Sequence, residues 1–277
     1  MLSTLDHRRD YSGFRYVYPV VSRRAGGVSI GINLNPNNAC NWACVYCQVP
    51  NLTRGGPPAI DLALLAEELE TLLDDIVGGD FMQREVPEGA RRLKDVAFSG
   101  NGEPTSAVEF PQAVEAVIAV LQAHRLLPGI KLRVITNGSL VHRAGVQAGI
   151  RRVGEVDGEI WFKVDRATAG GIEAINKVPL APERMRSNLE SCCALAPTWI
   201  QTCWFACDGK APDATEEAAY LALIKQVAEK TKGVHLYGLA RPSLQPDAPR
   251  LQQLADDQLA TFAKRISGLG VEVILSP

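Results

Sequence analysis

The chain has 277 residues, of which 46% are hydrophobic and 22% are charged, and its formal net charge is −2. This is the composition of an ordinary globular protein and excludes a largely disordered chain, and no apolar run approaches the roughly 18 residues that a membrane span requires. The N-terminal residues lack the apolar stretch of a secretory signal, so we expect a cytoplasmic protein whose seven cysteines are free thiols or metal ligands.

Short β-rich runs alternate along the chain with amphipathic stretches. The predicted strands are 28–34, 93–99, 130–136, 159–165, 198–205, 234–239 and 271–275, and the predicted helices are 61–77, 109–124, 140–149, 181–194, 213–231 and 254–268. Strand–helix alternation predicts right-handed βαβ units and a parallel sheet. We expect one domain over residues 1–277, made of an N-terminal basic extension (1–27), a barrel core (28–242) and a C-terminal helix and strand (243–277).

The two faces of the predicted strands differ in character. One parity is apolar, as in Ile30 and Ile32, whereas the other carries polar or small residues such as Arg133, Lys163 and Gln201. A doubly wound sheet would be apolar on both faces. A barrel with a polar lumen explains the pattern better, and its chemistry would lie at the carboxyl ends of the strands. An open sheet with one partly wet face is the alternative.

A cysteine-rich loop directly follows the first predicted strand. Residues 35–48 read NPNNACNWACVYCQ and place Cys40, Cys44 and Cys47 in a C-x3-C-x2-C pattern. Three thiolates on one loop can bind three irons of a cubane cluster and leave the fourth iron open. Zinc is also a soft-ligand metal, but a structural zinc site normally has four ligands, and no fourth ligand is near in the sequence. Zinc and coincidental thiols stay open on this motif alone.

Two more loops follow at the ends of the next strands. After the second strand comes SGNGEPT (99–105), whose glycines permit unusual backbone angles and close approach of a ligand to the main chain. After the third strand comes ITNGS (135–139). The carboxyl ends of parallel strands meet at one edge of a barrel, so the three loops are predicted to share one mouth.

Together these motifs resemble the radical S-adenosylmethionine (SAM) superfamily, in which the cysteine loop follows strand one and a glycine–glutamate motif follows strand two. Within that superfamily the sequence is similar to the iron–sulfur oxidoreductases related to the archaeal wyosine-tRNA synthases. The segments that carry this finer similarity are SGNGEPT (99–105), TNGSL (136–140), KVDRAT (163–168), AINKVP (174–179) and YGLARP (237–242).

The resemblance implies a fold and two cofactors. The fold is a partial (β/α)6 barrel of the TIM type, and the cofactors are a [4Fe-4S] cluster on the three cysteines of the loop and SAM on the open iron. An electron donor such as flavodoxin or ferredoxin would reduce the cluster, and SAM would be cleaved to methionine and a 5′-deoxyadenosyl radical. The residues implied to contact SAM or the cluster are Tyr46, Gly100, Asn101, Gly102, Glu103, Asn137 and Asp165. Tyr46 has loop packing as its alternative role.

The resemblance also suggests a substrate, which is a tRNA base. Wyosine synthases are expected to hold pyruvate on a lysine, and Lys163 is the candidate here. Pairing with Asp165 and binding of the SAM carboxylate are the alternatives for this lysine. Those synthases carry a second cluster upstream of the radical SAM loop, and none is expected here because no cysteine precedes Cys40.

Other residues are predicted to face the lumen near the ends of strands five and six. Cys203, with Cys207 beyond it, could bind an auxiliary cluster, donate a hydrogen atom or simply pack. Tyr237 and Arg241 end strand six, and the guanidinium suits a carboxylate or phosphate, with a structural salt bridge as the alternative. Lys163, Cys203, Tyr237 and Arg241 are therefore the candidate catalytic residues.

The charge distribution bears on the partner. Residues 1–60 contain six arginines and two aspartates and no lysine or glutamate, whereas the rest of the chain is acidic. This basic arm predicts phosphate contacts with an RNA substrate, or else a solvated surface segment. The alternatives to an RNA-modifying enzyme are a radical SAM activase or peptide-modifying enzyme that acts on a protein and, more distantly, a non-enzymatic zinc or iron–sulfur protein.

Overall fold

The computed structural model describes residue 2 and residues 11–22 and 26–276. Its centre is one sheet of eight strands that follow sequence order across the sheet. Seven neighbouring strands are parallel, and the first is antiparallel at the edge. The strands are β1 (Val17–Ser22), β2 (Gly27–Ile32), β3 (Leu93–Phe98), β4 (Lys131–Thr136), β5 (Glu159–Lys163), β6 (Thr198–Cys203), β7 (Gly233–Tyr237) and β8 (Val273–Ser276).

Helices connect the parallel strands and cover the outer face of the sheet. They are α1 (Leu62–Val77), α2 (Phe81–Glu85), α3 (Phe110–Ala123), α4 (Ala144–Glu155), α5 (Ala169–Asn176), α6 (Pro182–Cys193), α7 (Ala214–Val227) and α8 (Asp256–Ser267). Among the described residues, no helix is both long enough and apolar enough to cross a membrane.

The predicted fold class is confirmed, because the chain forms a curled, partial β/α barrel. The predicted difference between the two strand faces is also confirmed. Ile30, Ile32 and Val134 are fully buried under the helices, whereas Arg133 and Lys163 line a cavity on the inner face. The core therefore lies between sheet and helices, and the inner face of the sheet is left for polar groups.

Four elements differ from the sequence prediction, and one of them, the short helix α2, has no predicted counterpart. Strand β1 was not predicted; it contains Pro19, which an edge strand tolerates because one side of its backbone has no partner strand. Helix α5 was also missed, because Gly170 and Gly171 lower its intrinsic helix propensity. Helix α4 was predicted too early and too short, at 140–149, since the residues before Ala144 form a turn.

A buried carboxylate fixes the start of β1. Glu68 lies on α1 and is only 5% exposed. Its two oxygens accept hydrogen bonds from the backbone N–H groups of Arg15 (2.6 Å), Tyr16 (2.8 Å) and Val17 (3.1 Å). These three bonds hold the edge strand against the first helix.

We expect Glu68→Gln to lower the free energy of unfolding by about 2 kcal/mol, because an amide NH2 in place of one carboxylate oxygen faces backbone donors and cannot accept from them. Urea unfolding followed by circular dichroism measures the change. Glu70→Gln is the matched control, since Glu70 is exposed on the same helix. Equal unfolding free energies for the two variants would contradict the role of Glu68.

Candidate functional site

The inner face of the barrel opens into a cavity of about 330 Å³ at the carboxyl ends of the strands. This volume lies in the range of small-molecule sites. All but one of the predicted site residues line the cavity, namely Cys40, Cys44, Tyr46, Cys47, Gly100, Asn101, Gly102, Glu103, Asn137, Lys163, Cys203, Tyr237 and Arg241. The exception, Asp165, is buried directly behind Tyr46 and bonds to its hydroxyl.

The three cysteines of the loop are half-buried free thiols at the wall of the cavity. Burial raises the pKa of Cys40 to about 11 and that of Cys44 to about 12. Both thiols are therefore protonated at neutral pH in the metal-free chain, and a bound metal must displace their protons. Soft sulfur donors on one loop are the ligand set that iron–sulfur clusters use, so the residues present fit such a group.

The arrangement of the three thiols bears on whether they could bind a single metal ion or a cluster. Among residues 2, 11–22 and 26–276, no three His, Cys, Asp or Glu side chains converge on a point in the way that the ligands of a single metal ion do. Thiolates that bind different iron atoms of one cluster need not converge in this way. The lack of such a point therefore does not bear on a cubane, in which each cysteine binds its own iron.

The cysteine loop is held from both sides. On one side, the backbone N–H of Val45 donates to the carbonyl of Ile175 in α5 (2.9 Å). On the other side, the segment that follows β7 clamps the loop: Ser243 Oγ donates to the carbonyl of Val45 (2.7 Å), and Gln245 Nε2 donates to that of Val49 (2.8 Å). These anchors fix the thiols at the mouth of the barrel.

The glycine-rich loop docks directly on the cysteine loop. A Cβ added at Gly102 would lie 2.2 Å from the carbonyl oxygen of Ala39, and one at Gly100 would lie 2.5 Å from Asn33 Oδ1. Gly100 also has a φ of +133°, which L side chains rarely adopt. Only glycine permits this contact between the two loops.

Two buried asparagines that the sequence analysis did not single out as site residues join these loops. Asn33 Oδ1 accepts from the backbone N–H of Asn101 (3.0 Å), and Asn35 Nδ2 donates both to the carbonyl of Ala39 (2.9 Å) and to Ser106 Oγ, just beyond the glycine-rich loop (3.3 Å). Both lie just beyond the end of β2, and polar side chains directly after a buried apolar strand are the signal that could have revealed them.

Glu103 is buried at the base of the same mouth. Its carboxylate accepts four hydrogen bonds, two from Thr105, one from the hydroxyl of Thr136 (2.6 Å) and one from the backbone N–H of Asn137 (2.7 Å). Burial raises the pKa of Glu103, and these four bonds oppose the rise. Three bonds go to Oε1 and only one to Oε2, so Oε2 retains capacity to accept from a ligand in the cavity.

Asn137 ties the third loop to the cysteine loop. Its Nδ2 donates to Asn41 Oδ1 (2.9 Å), and Asn41 Nδ2 in turn donates to Ser139 Oγ (2.8 Å). The three loops that the sequence placed at one mouth are therefore joined by hydrogen bonds, as predicted from the parallel strands.

Lys163 lies on the cavity wall and donates a hydrogen bond to the hydroxyl of Tyr46, which donates to Asp165 (2.6 Å). Burial lowers the pKa of Lys163, but the acidic groups around it, of which Asp165 contributes most, together hold the pKa above its ordinary value. A protonated amine lacks the lone pair that attacks a carbonyl. The geometry thus favours ionic binding by Lys163 over the Schiff-base role.

Cys203 and Cys207, the pair considered for an auxiliary cluster, lie in different surroundings. Cys203 is buried and lines the cavity, whereas Cys207 is half-buried, outside the cavity lining, in a two-residue strand that pairs with Leu251–Gln252. This arrangement does not favour an auxiliary cluster shared by the pair. Tyr237 and Arg241 line the cavity at the end of β7, as the sequence predicted.

Charged residues in the lower half of the lumen are paired with one another. Asp95 accepts hydrogen bonds from Ser29 Oγ and from the guanidinium of Arg133, and Arg133 Nε also donates to Glu159 (3.1 Å). The guanidinium lies 4.7 Å from the ring centre of Trp161. Arg133 is thus paired with carboxylates of the adjacent strands, and Lys163 and Arg241 are the other cationic side chains of the described cavity lining.

The basic arm is only partly described. Arg8, Arg9, Arg23 and Arg24 lie outside the described residues, so their contact with phosphates stays a prediction. Arg54 is exposed at the cysteine loop, where its guanidinium donates to the carbonyl of Asn41 (2.6 Å).

Sequence similarity between this chain and known proteins is partial. No family model matches the sequence. A protein of Helicobacter pylori named UPF0026 protein is 27% identical over 160 residues, which are 57% of this chain and 45% of that protein, so the chain spans less than half the length of this relative.

Two solved structures resemble the chain. One is a radical SAM methyltransferase from Sphaerobacter thermophilus, with a TM-score of 0.60 and 13% identity over 90% of this chain and 66% of that one. The other is the FeFe-hydrogenase maturase HydG from Carboxydothermus hydrogenoformans, with a TM-score of 0.57 and 13% identity over 89% of this chain and 53% of that one. At such identities the likeness establishes the fold alone.

Proposed function

We propose that this chain is a radical SAM enzyme that modifies a base of tRNA. The observation that carries the class is the docking of the glycine-rich loop on the cysteine loop at Gly102, which puts three thiols and Glu103 around one cavity. A cluster held by these three thiols would supply the electron for reductive cleavage of SAM, the chemistry by which radical SAM enzymes abstract a hydrogen atom from their substrates.

The residues of the chain bind, orient and exclude water. Cys40, Cys44 and Cys47 would hold the cluster. Glu103 Oε2, with a single protein partner, would accept from the amino group of SAM. Hydrogen bonds to the surrounding loops keep these groups in place before any ligand binds, so little ordering entropy is lost on binding.

The substrate class rests on the five segments that resemble wyosine-type proteins and on the basic character of residues 1–60. Lys163 and Arg241 on the cavity wall suit an anionic or strongly polar group of the substrate. A flavodoxin or ferredoxin would supply the electron.

We expect anaerobically reconstituted, dithionite-reduced protein to convert SAM into 5′-deoxyadenosine and methionine, slowly without substrate and faster with bulk tRNA. Chromatography of the nucleosides measures the product. No 5′-deoxyadenosine from reduced, iron-replete protein would refute the radical SAM assignment. Acceleration by peptides in place of tRNA would instead support a protein-modifying enzyme.

A further inference from the structure

A continuous chain of hydrogen bonds runs from the cavity wall to one of the cysteines. Lys163 donates to the hydroxyl of Tyr46, and that hydroxyl donates to Asp165 Oδ2 (2.6 Å). The same oxygen accepts from Asn176 Nδ2 (2.8 Å), and Asn176 Nδ2 also donates to Cys44 Sγ (3.3 Å). The proposed function assigns no role to Asn176 or to its hydrogen bond with Cys44.

The orientation of the Asn176 amide is fixed by its neighbours. The carboxylate of Asp165 only accepts, and so does the Cys44 sulfur once it is a cluster ligand, so the NH2 group serves both with one hydrogen each. A reversed amide would point its oxygen at Asp165 and Cys44, which would repel it. Asp165 is itself held by the backbone N–H of Cys203, which donates to Oδ1 (3.1 Å).

Asn176 is also held by its backbone and its burial. It is only 2% exposed at the end of α5, and its carbonyl accepts from the backbone N–H of Ala43 in the cysteine loop (3.3 Å). The backbone of Asn176 is thus bonded to Ala43 and its side chain to Cys44, which are adjacent residues of the cysteine loop. The side-chain donor is thus held next to the Cys44 sulfur by a residue that is itself almost fully buried.

We propose that Asn176 raises the reduction potential of the cluster by donating this hydrogen bond to Cys44 Sγ, with Asp165 orienting the amide. Reduction adds negative charge to the cluster and its sulfur ligands, and a donor to a sulfur stabilises the more negative state. The inference rests on the proposed function only in that Cys44 must be a cluster ligand.

The test is the midpoint potential of the reconstituted cluster, measured without SAM by a redox titration followed by electron paramagnetic resonance. Asn176→Leu removes the donor at similar volume. The expected result is about a tenfold lower ratio of reduced to oxidised cluster at a fixed applied potential, which is about 59 mV for a one-electron couple. Asn188→Leu is the matched control, because Asn188 is also a buried helical asparagine but lies in α6 without a hydrogen bond to Cys44. The midpoint potential of the cluster in this variant should equal that of the wild type.

Asn176→Ala is the second variant in case leucine disturbs the loop, and iron content reports whether the cluster is retained. A wild-type potential in an iron-replete Asn176 variant would overturn the inference and leave the proposed function standing. Equal shifts in the Asn176 and Asn188 variants would also overturn it, since they would indicate general loosening. Failure of the wild-type chain to bind a cluster on reconstitution would instead refute the proposed function.

Discussion

Replacement of Cys40, Cys44 and Cys47 together by alanine should reduce the iron content from about four atoms per chain to nearly none, as expected for one thiolate-bound cubane. The three thiols face one cavity from a single loop, and they are the soft donors that line it at its mouth together with the glycine-rich loop. The brown colour and the production of 5′-deoxyadenosine should disappear with the iron. Iron analysis and visible absorption after anaerobic reconstitution measure the effect.

The matched control is the double variant of Cys193 and Cys207 to alanine. Both thiols are half-buried, as the loop cysteines are, but neither lines the cavity. Its iron content should equal that of the wild type. Full iron in the triple loop variant would refute the cluster assignment, and about eight irons in the wild type would support an auxiliary cluster after all.

Glu103→Gln should weaken SAM binding by at least about tenfold while the cluster iron is retained, as expected when a charge-assisted hydrogen bond is lost. The carboxylate is the buried anion next to the glycine-rich loop, and its Oε2 has one protein partner, the N–H of Asn137. An amide in its place carries no charge to attract an ammonium group. Equilibrium binding of SAM to the iron-replete protein measures the loss.

Glu68→Gln is the control for this second prediction. Glu68 is likewise a buried carboxylate that accepts backbone hydrogen bonds, but it lies outside the cavity lining, between α1 and β1. Its substitution should lower stability and leave SAM affinity unchanged. If both variants bind SAM as the wild type does, Glu103 acts only as a structural link between the loops.

Local pattern was sufficient for much of the fold. Helix α1 was predicted at 61–77 and lies at Leu62–Val77, because its leucines recur at helical spacing and Asp61 caps its first turn. The alternating character of the strands indicated an apolar face under helices and a polar lumen. Glu68 interrupts the leucine stripe of α1 between Leu65 and Leu69, which is the pattern that could have revealed its structural role.

Other elements depend on partners far away in the sequence. Strand β1 was missed because Pro19 argues against a strand and only the edge position makes it acceptable. Helix α5 was missed because its glycines disfavour a helix, although it supplies the backbone that holds the cysteine loop. In each case tertiary contact overrides a weak local preference.

The sequence by itself determined the chemistry that is available, since the types and spacing of the three cysteines and the GNGE motif are properties of short segments. The tertiary structure alone decided which groups serve one another. Asn176 reaches Cys44 across 132 residues, and Tyr46 reaches Asp165 across 119. Such pairings arise from the curvature of the sheet and the packing of its loops, and residue periodicity carries no information about them. For this reason the sequence predicted the cysteine loop as a cluster site, whereas the hydrogen bonds that orient the loop became visible only in the folded chain.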